Sequence, residues 1–202
     1  MNRESPERRG RAIDHQSCSP RRITAASQVL YTDLDHSLHR TNAYRTKDGI
    51  VPGSSSTPFF EFADLLERIL APYRDVAIVL STSWVQELGF EETRSRFPIA
   101  SLRARIVDST YHPEDGPVSE WSKIPRGAQV LRHVRRYGLN RWLAIDDDRR
   151  GVNGYESRLI HCQHGVGLGD QDVQKLLARR LEQMFALQSS SCAGISQSTP
   201  PT

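Results

Sequence analysis

The residues best suited to chemistry in this sequence are carboxylates at the ends of apolar runs. Asp33 and Asp35 stand one residue apart after Val29-Leu30-Tyr31-Thr32. Asp146, Asp147 and Asp148 follow a second run, Arg141 to Ile145. Closely spaced carboxylate oxygens form a hard-cation site. A single like-charged pair at ~4 Å costs about 4 kcal/mol at an effective dielectric near 20. A cluster of them therefore needs a bound cation or nearby Lys and Arg side chains. Between the two acidic blocks come three hydroxyls, Ser81-Thr82-Ser83, and then Lys123. Hydroxyls and a cation at such places can grip an anion. Each block also has a plainer reading, since turns favour Asp and Ser and Lys123 precedes a Pro and a helix.

The elements that must carry these groups are legible from periodicity. Residues 28–32 read as a buried strand, and Val76 to Leu80 as a second, apolar throughout as in a parallel sheet. Arg105 to Thr110 reads as a third strand and Arg141 to Ile145 as a fourth, with Ser157 to Gln163 a short edge strand. Lys47-Asp48-Gly49 is a hairpin-type turn inside a short flap, residues 36–56. Thr57-Pro58 predicts a helix start, with Phe59, Phe62, Leu65, Leu66, Ile69 and Leu70 on its apolar stripe and Pro72 at its end. Short helices broken at Gly89 and Pro98 follow, then Lys123, and after it a helix to about Tyr137 closed by Gly138. Asp170 caps a last helix with Val173, Leu176, Leu177 and Leu181 inward. Strands alternating with helices predict an α/β fold, a doubly wound, mostly parallel sheet with helices on both faces. Ligands of such sheets bind outside the carboxyl ends of the strands, where both acidic blocks fall.

Length bounds the chain to one domain with tails. The expected division is a disordered basic arm over 1–27, a body over 28–187 and a disordered tail over 188–202. The charge is ordinary, 27 Lys and Arg against 24 Asp and Glu. Residues 1–22 hold six arginines against Glu4, Glu7 and Asp14, which accounts for the whole excess of three. The body is thus near neutral, and any polyanion binding must be local. Three cysteines imply no disulfide framework and suit a reducing compartment. No apolar run is long enough to span a bilayer, and no apolar segment follows the N-terminal arginines as in a secretory signal. A cytoplasmic location is the expectation. His161, Cys162 and His164 are too tightly spaced, with no second ligand pair, for a zinc site.

In order, the polar blocks are Asp33-x-Asp35, Thr82 or Ser81, Lys123, and Asp146-Asp147. This resembles the four-motif signature of the haloacid dehalogenase-like (HAD) superfamily, whose commonest activity is Mg-dependent phosphate-ester hydrolysis. Ile78-Val-Leu-Ser-Thr-Ser-Trp84, Phe97-Pro98 with Leu102-Arg-Ala-Arg-Ile-Val107, and Gly167-Leu-Gly-Asp170 are similar to the HAD domain of Swiss Army Knife RNA repair proteins. The resemblance covers roughly residues 28 to 186 and implies a Rossmann-like sheet. It implies Asp33 as nucleophile forming an aspartyl-phosphate, and Asp35 as general acid and base. It implies Mg²⁺ held by Asp33, the backbone carbonyl of Asp35, and Asp146, with Asp147 beside it. It implies Thr82, or Ser81, on a phosphoryl oxygen, and Lys123 offsetting the charge of phosphate and Asp33. His36 and Ser37 depart from the pattern, since many relatives have Gly with Thr or Val there. Phospho-receiver domains use the same residue types in a different order.

Asp35 to Thr82 and Thr82 to Lys123 are filled by ordinary elements, so no large cap domain fits. An open site suits a phosphorylated macromolecule, such as an RNA or DNA end, better than a small metabolite. Six cations and no acid lie from Lys123 to Arg141 (Lys123, Arg126, Arg132, Arg135, Arg136, Arg141), and Arg94, Arg96, Arg103 and Arg105 add a second group. They could track a phosphodiester backbone or form a solvated helix face. The expectation is a polynucleotide end phosphatase in RNA repair. One alternative is a phosphoprotein phosphatase, because Asp33-Leu-Asp-x-Ser-Leu-His39 also resembles the Asp-Leu-Asp-Glu-Thr-Leu of C-terminal-domain phosphatases. Another is an inactive module that only holds metal or nucleic acid. Oligomeric state is left open by the sequence.

Overall fold

In the computed structural model, which describes residues 22–47 and 49–186, the first strand lies at the centre of the sheet. β1 (Gln28–Thr32) pairs in parallel with β4 (Val76–Leu80) on one side and β6 (Arg141–Asp146) on the other. β5 (Ile106–Ser109) extends the β4 side and β7 (Leu159–His161) the β6 side, both in parallel. The strand order is β5-β4-β1-β6-β7. The register Thr32↔Leu80 and Thr32↔Ile145 brings three strand ends level. The residues after those ends are Asp33, Ser81 and Asp146. The sheet is thus a mixed α/β, Rossmann-like arrangement that delivers all the polar blocks but Lys123 to one edge.

Alternation along the strands feeds two cores. Leu30, Ile78, Leu80, Leu143 and Ile145 point to one face, covered by α1 (Ala63–Leu70) through Leu66 and Leu70 and by α7 (Gln171–Phe185) through Leu177 and Leu181. Val29, Tyr31, Val79, Trp142 and Ala144 point to the other, covered by α6 (Arg126–Tyr137) through Val130, Leu131 and Val134. Both faces are covered, so the strands are apolar throughout. Ile23 joins the second core, so packing begins ahead of Gln28; residues 1–21 of the expected arm and the tail lie outside the described residues.

The flap is a two-stranded antiparallel hairpin, β2 (Ala43–Thr46) with β3 (Gly49–Pro52). Between β4 and β5 run α2 (Trp84–Leu88), α3 (Phe90–Ser95) and α4 (Ala100–Arg105), and α5 (Val118–Trp121) precedes α6. Asp170 caps α7 as predicted, its Oδ1 accepting from the Asp172 amide at 2.8 Å.

One helix start differs from expectation. α1 begins at Ala63 rather than at Pro58. Phe60 adopts a positive φ of 59°, and the Phe59 and Phe60 rings pack edge-on against Trp84 at 4.8 and 5.7 Å between centroids. That aromatic cluster outweighs the Thr-Pro start signal. α6 begins at Arg126, after Pro125, so Lys123 lies in the turn before the helix.

The cations of the two arginine-rich groups, read as a backbone-tracking lining or as a solvated face, are spread out. Arg132 stacks over Trp121, Arg136 pairs with Asp115, and Arg141 lies over Phe185. Arg94 pairs with Glu91 and Arg96 with Glu92.

Candidate active site

The loop after β1 places Asp33, and the loop after β6 places Asp146 and Asp147. One carboxylate oxygen from each lies within 4.8 Å of the other two. The Asp33 amide donates to the Ile145 carbonyl at 3.1 Å, so the ladder continues to the first acidic residue and fixes its backbone. Asp146 Oδ1 accepts from the Asp148 amide at 2.9 Å. Asp33 and Asp146 are 5% and 4% exposed, which makes the repulsion between them strong.

Burial, then the Asp146 carboxylate, pushes the Asp33 carboxyl well above its ordinary range, against an opposing pull from Arg126. Burial likewise pushes Asp146 from the ordinary 3.8 up to about 7, opposed by Arg126 and the Asp148 amide and aided by Asp147 and Asp148. Such a group accommodates a divalent cation better than it accommodates its own charge. The donors are all carboxylate oxygens, the set that suits Mg²⁺.

Asp35 faces the same pocket from a different angle. Its Oδ1 accepts from the Ala43 amide at 3.1 Å and from Trp84 Nε1 at 3.3 Å, and lies 3.0 Å from His39 Nε2. His39 is fully buried, with Phe59, Phe60 and Trp84 rings around it. The Asp35 carboxylate is therefore held by the flap, by α2 and by its own loop, apart from the carboxylates that could share an ion.

The pocket, about 380 Å³, is lined by Asp33, Asp35, His36, Asn42, Ser83, Arg126, Asp146, Asp147, Asp148, Arg150 and His164. Lys123 is not among them. Its Nζ binds Glu120 Oε1 at 2.7 Å and the side chain is 68% exposed. Two arginines line it instead: Arg126, whose Nε lies 4.0 Å from Asp146 Oδ2, and Arg150, which pairs with Asp148 at 2.9 Å. Thr82 is buried, with its Oγ1 accepting from the Trp84 amide at 3.4 Å. The Ser81 hydroxyl is buried without a partner, and the hydroxyl that reaches the pocket wall is Ser83. Sequence order located the cation and hydroxyl segments; it could not say which residue of each faces inward.

Arg126 reaches the site because its helix starts almost in contact with the loop after β6. The Gly127 amide donates to the Arg150 carbonyl at 3.0 Å. A Cβ on Gly127 would meet Val152 Cγ1 at 2.4 Å and the Gly151 carbonyl carbon at 2.7 Å. Only glycine permits that approach.

His36 takes φ 55°, the left-handed region, where a glycine would pay little strain. Its ring stacks on His164 at 3.4 Å between centroids, and His164 Nδ1 lies 3.1 Å from Asp147 Oδ2. The Gly167-Leu-Gly-Asp segment supports this backbone from beneath: the Leu168 amide donates to the Ser37 carbonyl at 3.0 Å. Among the described residues, neither of the two His/Cys/Asp/Glu groups close enough to share an ion includes His161, Cys162 or His164.

Among the described residues, no helix is long and apolar enough to cross a membrane. No curated protein matches the chain. The family described as the HAD domain in Swiss Army Knife RNA repair proteins matches residues 29–173, well over half of the sequence, and the chain belongs to that family.

Proposed function

We propose that residues 28–187 form a Mg²⁺-dependent phosphohydrolase that removes a terminal phosphate from a polynucleotide end in RNA repair. The observation that carries this reading is the division of labour among the carboxylates. Asp33, Asp146 and Asp147 converge on one point, whereas Asp35 is tethered to His39, Trp84 and Ala43 in the same pocket.

Asp33, Asp146 and Asp147 would hold the ion, with the Asp35 backbone carbonyl beside them. When bound, Mg²⁺ neutralises phosphate charge so that an anionic nucleophile can approach. The Asp33 carboxylate attacks phosphorus, forming an acyl-phosphate bond as the ester P–O bond breaks. The departing oxygen takes the proton of the Asp35 carboxylic acid. Asp35, now a carboxylate, deprotonates a water that attacks phosphorus and releases Asp33 and inorganic phosphate. Arg126 and Ser83 grip the equatorial phosphoryl oxygens, in the roles first expected of Lys123 and Thr82.

Two features support a polynucleotide. The site is open, with only the β2–β3 hairpin beside it among the described residues. A second pocket of about 190 Å³ shares Ser83, Arg126, Asp148 and Arg150 with the first and adds Lys123. A phosphodiester next to the scissile phosphate would meet Lys123 and Arg150 there. A reducing, cytoplasmic setting fits Cys162, the described cysteine, which is buried and free.

The test compares Mg²⁺-dependent phosphate release from end-phosphorylated RNA and DNA oligonucleotides with release from a phosphopeptide. Preference for an oligonucleotide end, abolished by Asp33→Asn and by chelation, is the expected result. Preference for the phosphopeptide would replace this reading with the phosphoprotein one. No turnover of either, nor of an aryl phosphate, would leave a binding module.

A further inference from the structure

A second cluster of ligating side chains lies outside the carboxylate pocket. Asp108 belongs to β5, His112 to the loop that follows, and His133 to α6. One ligand atom from each lies within 4.8 Å of the others. We propose that Asp108, His112 and His133 form a binding site for a zinc-class divalent ion that clamps the edge strand to α6.

The geometry is that of a coordination polyhedron. His112 Nε2 lies 3.1 Å from Asp108 Oδ1, and His133 Nε2 lies 3.1 Å from Asp108 Oδ2. Tetrahedral ligands at about 2.0 Å from an ion are about 3.3 Å from one another. His112 Nε2 is buried, and Asp108 Oδ1, its close partner, is not set as a well-aligned hydrogen-bond acceptor. An imidazole nitrogen turned toward a carboxylate but off the hydrogen-bond line is oriented for a third atom between them.

Supporting contacts match those of a metal-bound histidine. His133 is 1% exposed, and its other nitrogen, Nδ1, lies 2.8 Å from the Tyr31 hydroxyl. Such a partner fixes the ring and its tautomer. The Tyr137 hydroxyl donates to Asp108 Oδ2 at 3.0 Å and the Ser109 amide to Oδ1 at 2.8 Å, so the carboxylate is also oriented. Asp108 and His112 keep 15% and 24% of their side chains exposed, which leaves an entry path and room for a water as fourth ligand.

Two imidazoles and one carboxylate select zinc over magnesium, whereas the Asp33 group offers oxygen alone. The two sites are therefore separable by metal. The clamp would also hold α6 in place, and Arg126 is the first residue of that helix.

The experiment titrates Co²⁺, a spectroscopic substitute for zinc, into the full chain with Mg²⁺ saturating. One equivalent should give the intense visible absorption of four-coordinate cobalt, displaced by Zn²⁺. His112→Ala, in a partly exposed loop, should keep the circular dichroism of the parent and bind Co²⁺ at least ten-fold more weakly. Asp33→Asn should keep the signal. Zn²⁺ should raise the melting temperature of the parent by several degrees and that of His112→Ala by much less. A featureless spectrum, one unchanged by His112→Ala, or one abolished by Asp33→Asn would overturn the site and leave a hydrogen-bonded network.

Discussion

Asp35 and its neighbours show what a single side chain contributes beyond its own charge. His39 is buried between Asp35 and three aromatic rings, so its role is to position rather than to react. A misplacement of about 1 Å can cost about 10²-fold in rate. His39→Ala should therefore lower kcat by about 10- to 100-fold for an alkyl phosphate, whose poor leaving group needs the Asp35 proton. An aryl phosphate, with a better leaving group, should suffer much less, and KM should barely change for either. Steady-state kinetics on the two esters checks this. The two cations offer a second comparison. Arg126→Gln should reduce kcat/KM by about 10²- to 10³-fold, as loss of a transition-state donor does. Lys123→Gln should stay within a few-fold on an aryl phosphate and weaken only substrates with an adjoining phosphodiester. Equal effects of the two substitutions on the aryl ester would remove Arg126 from the phosphoryl site.

The helix that carries Arg126 depends on close backbone approach. Gly127→Ala would force a methyl to within 2.4 Å of Val152 Cγ1. Overpacking of this kind costs about 1–3 kcal/mol, so the urea midpoint should fall while the slope stays unchanged. Activity should fall further than stability, because the displaced turn begins with Arg126. These elements also mark what the sequence could and could not disclose. The largely apolar runs 28–32, 76–80 and 141–145 were legible because burial on both faces leaves few polar interruptions. Their carboxylate ends were legible because a chain has few reasons to finish buried strands with Asp33, Asp35, Asp146 and Asp147. The start of α1 was misread because Phe59 and Phe60 serve the Trp84 cluster rather than a helix stripe. Arg126 was one cation among six in the sequence because its facing inward is decided by the approach of Gly127 to Gly151, residues with no local signature of pairing. Asp108, His112 and His133 escaped for the same reason: they look ordinary until β5 and α6 pack together.

For the molecule as a whole, the carboxylate pocket is a cost that folding carries until it is neutralised. The Asp146 carboxyl rises from 3.8 to about 7 on folding, and Asp33 moves the same way. Between about pH 4 and 7 the folded chain therefore holds protons that the unfolded chain has released. Stability present below that window is lost as the pH rises through it. In chelator, the melting temperature should fall from pH 5.5 to pH 8. His112, whose pKa is raised by the Asp108 carboxylate, adds a slope of the same sign. The readout is thus the difference from Asp146→Asn, which should show a clearly flatter profile. Mg²⁺ at 100 times its dissociation constant should restore about 2.7 kcal/mol at pH 8. A melting temperature indifferent to Mg²⁺ would count against the cation site.

The strand order carries a consequence for synthesis. β1 leaves the ribosome first among the sheet strands, yet its neighbours are β4 and β6, the latter more than a hundred residues later. Contacts so distant in sequence close slowly. The nascent chain leaves one edge of that central strand unpaired until residue 146 emerges. Its four active-site aspartates do not meet before then. On the proposed reading, hydrolysis waits until Asp147 has been made, and a fragment that ends before it should release no phosphate.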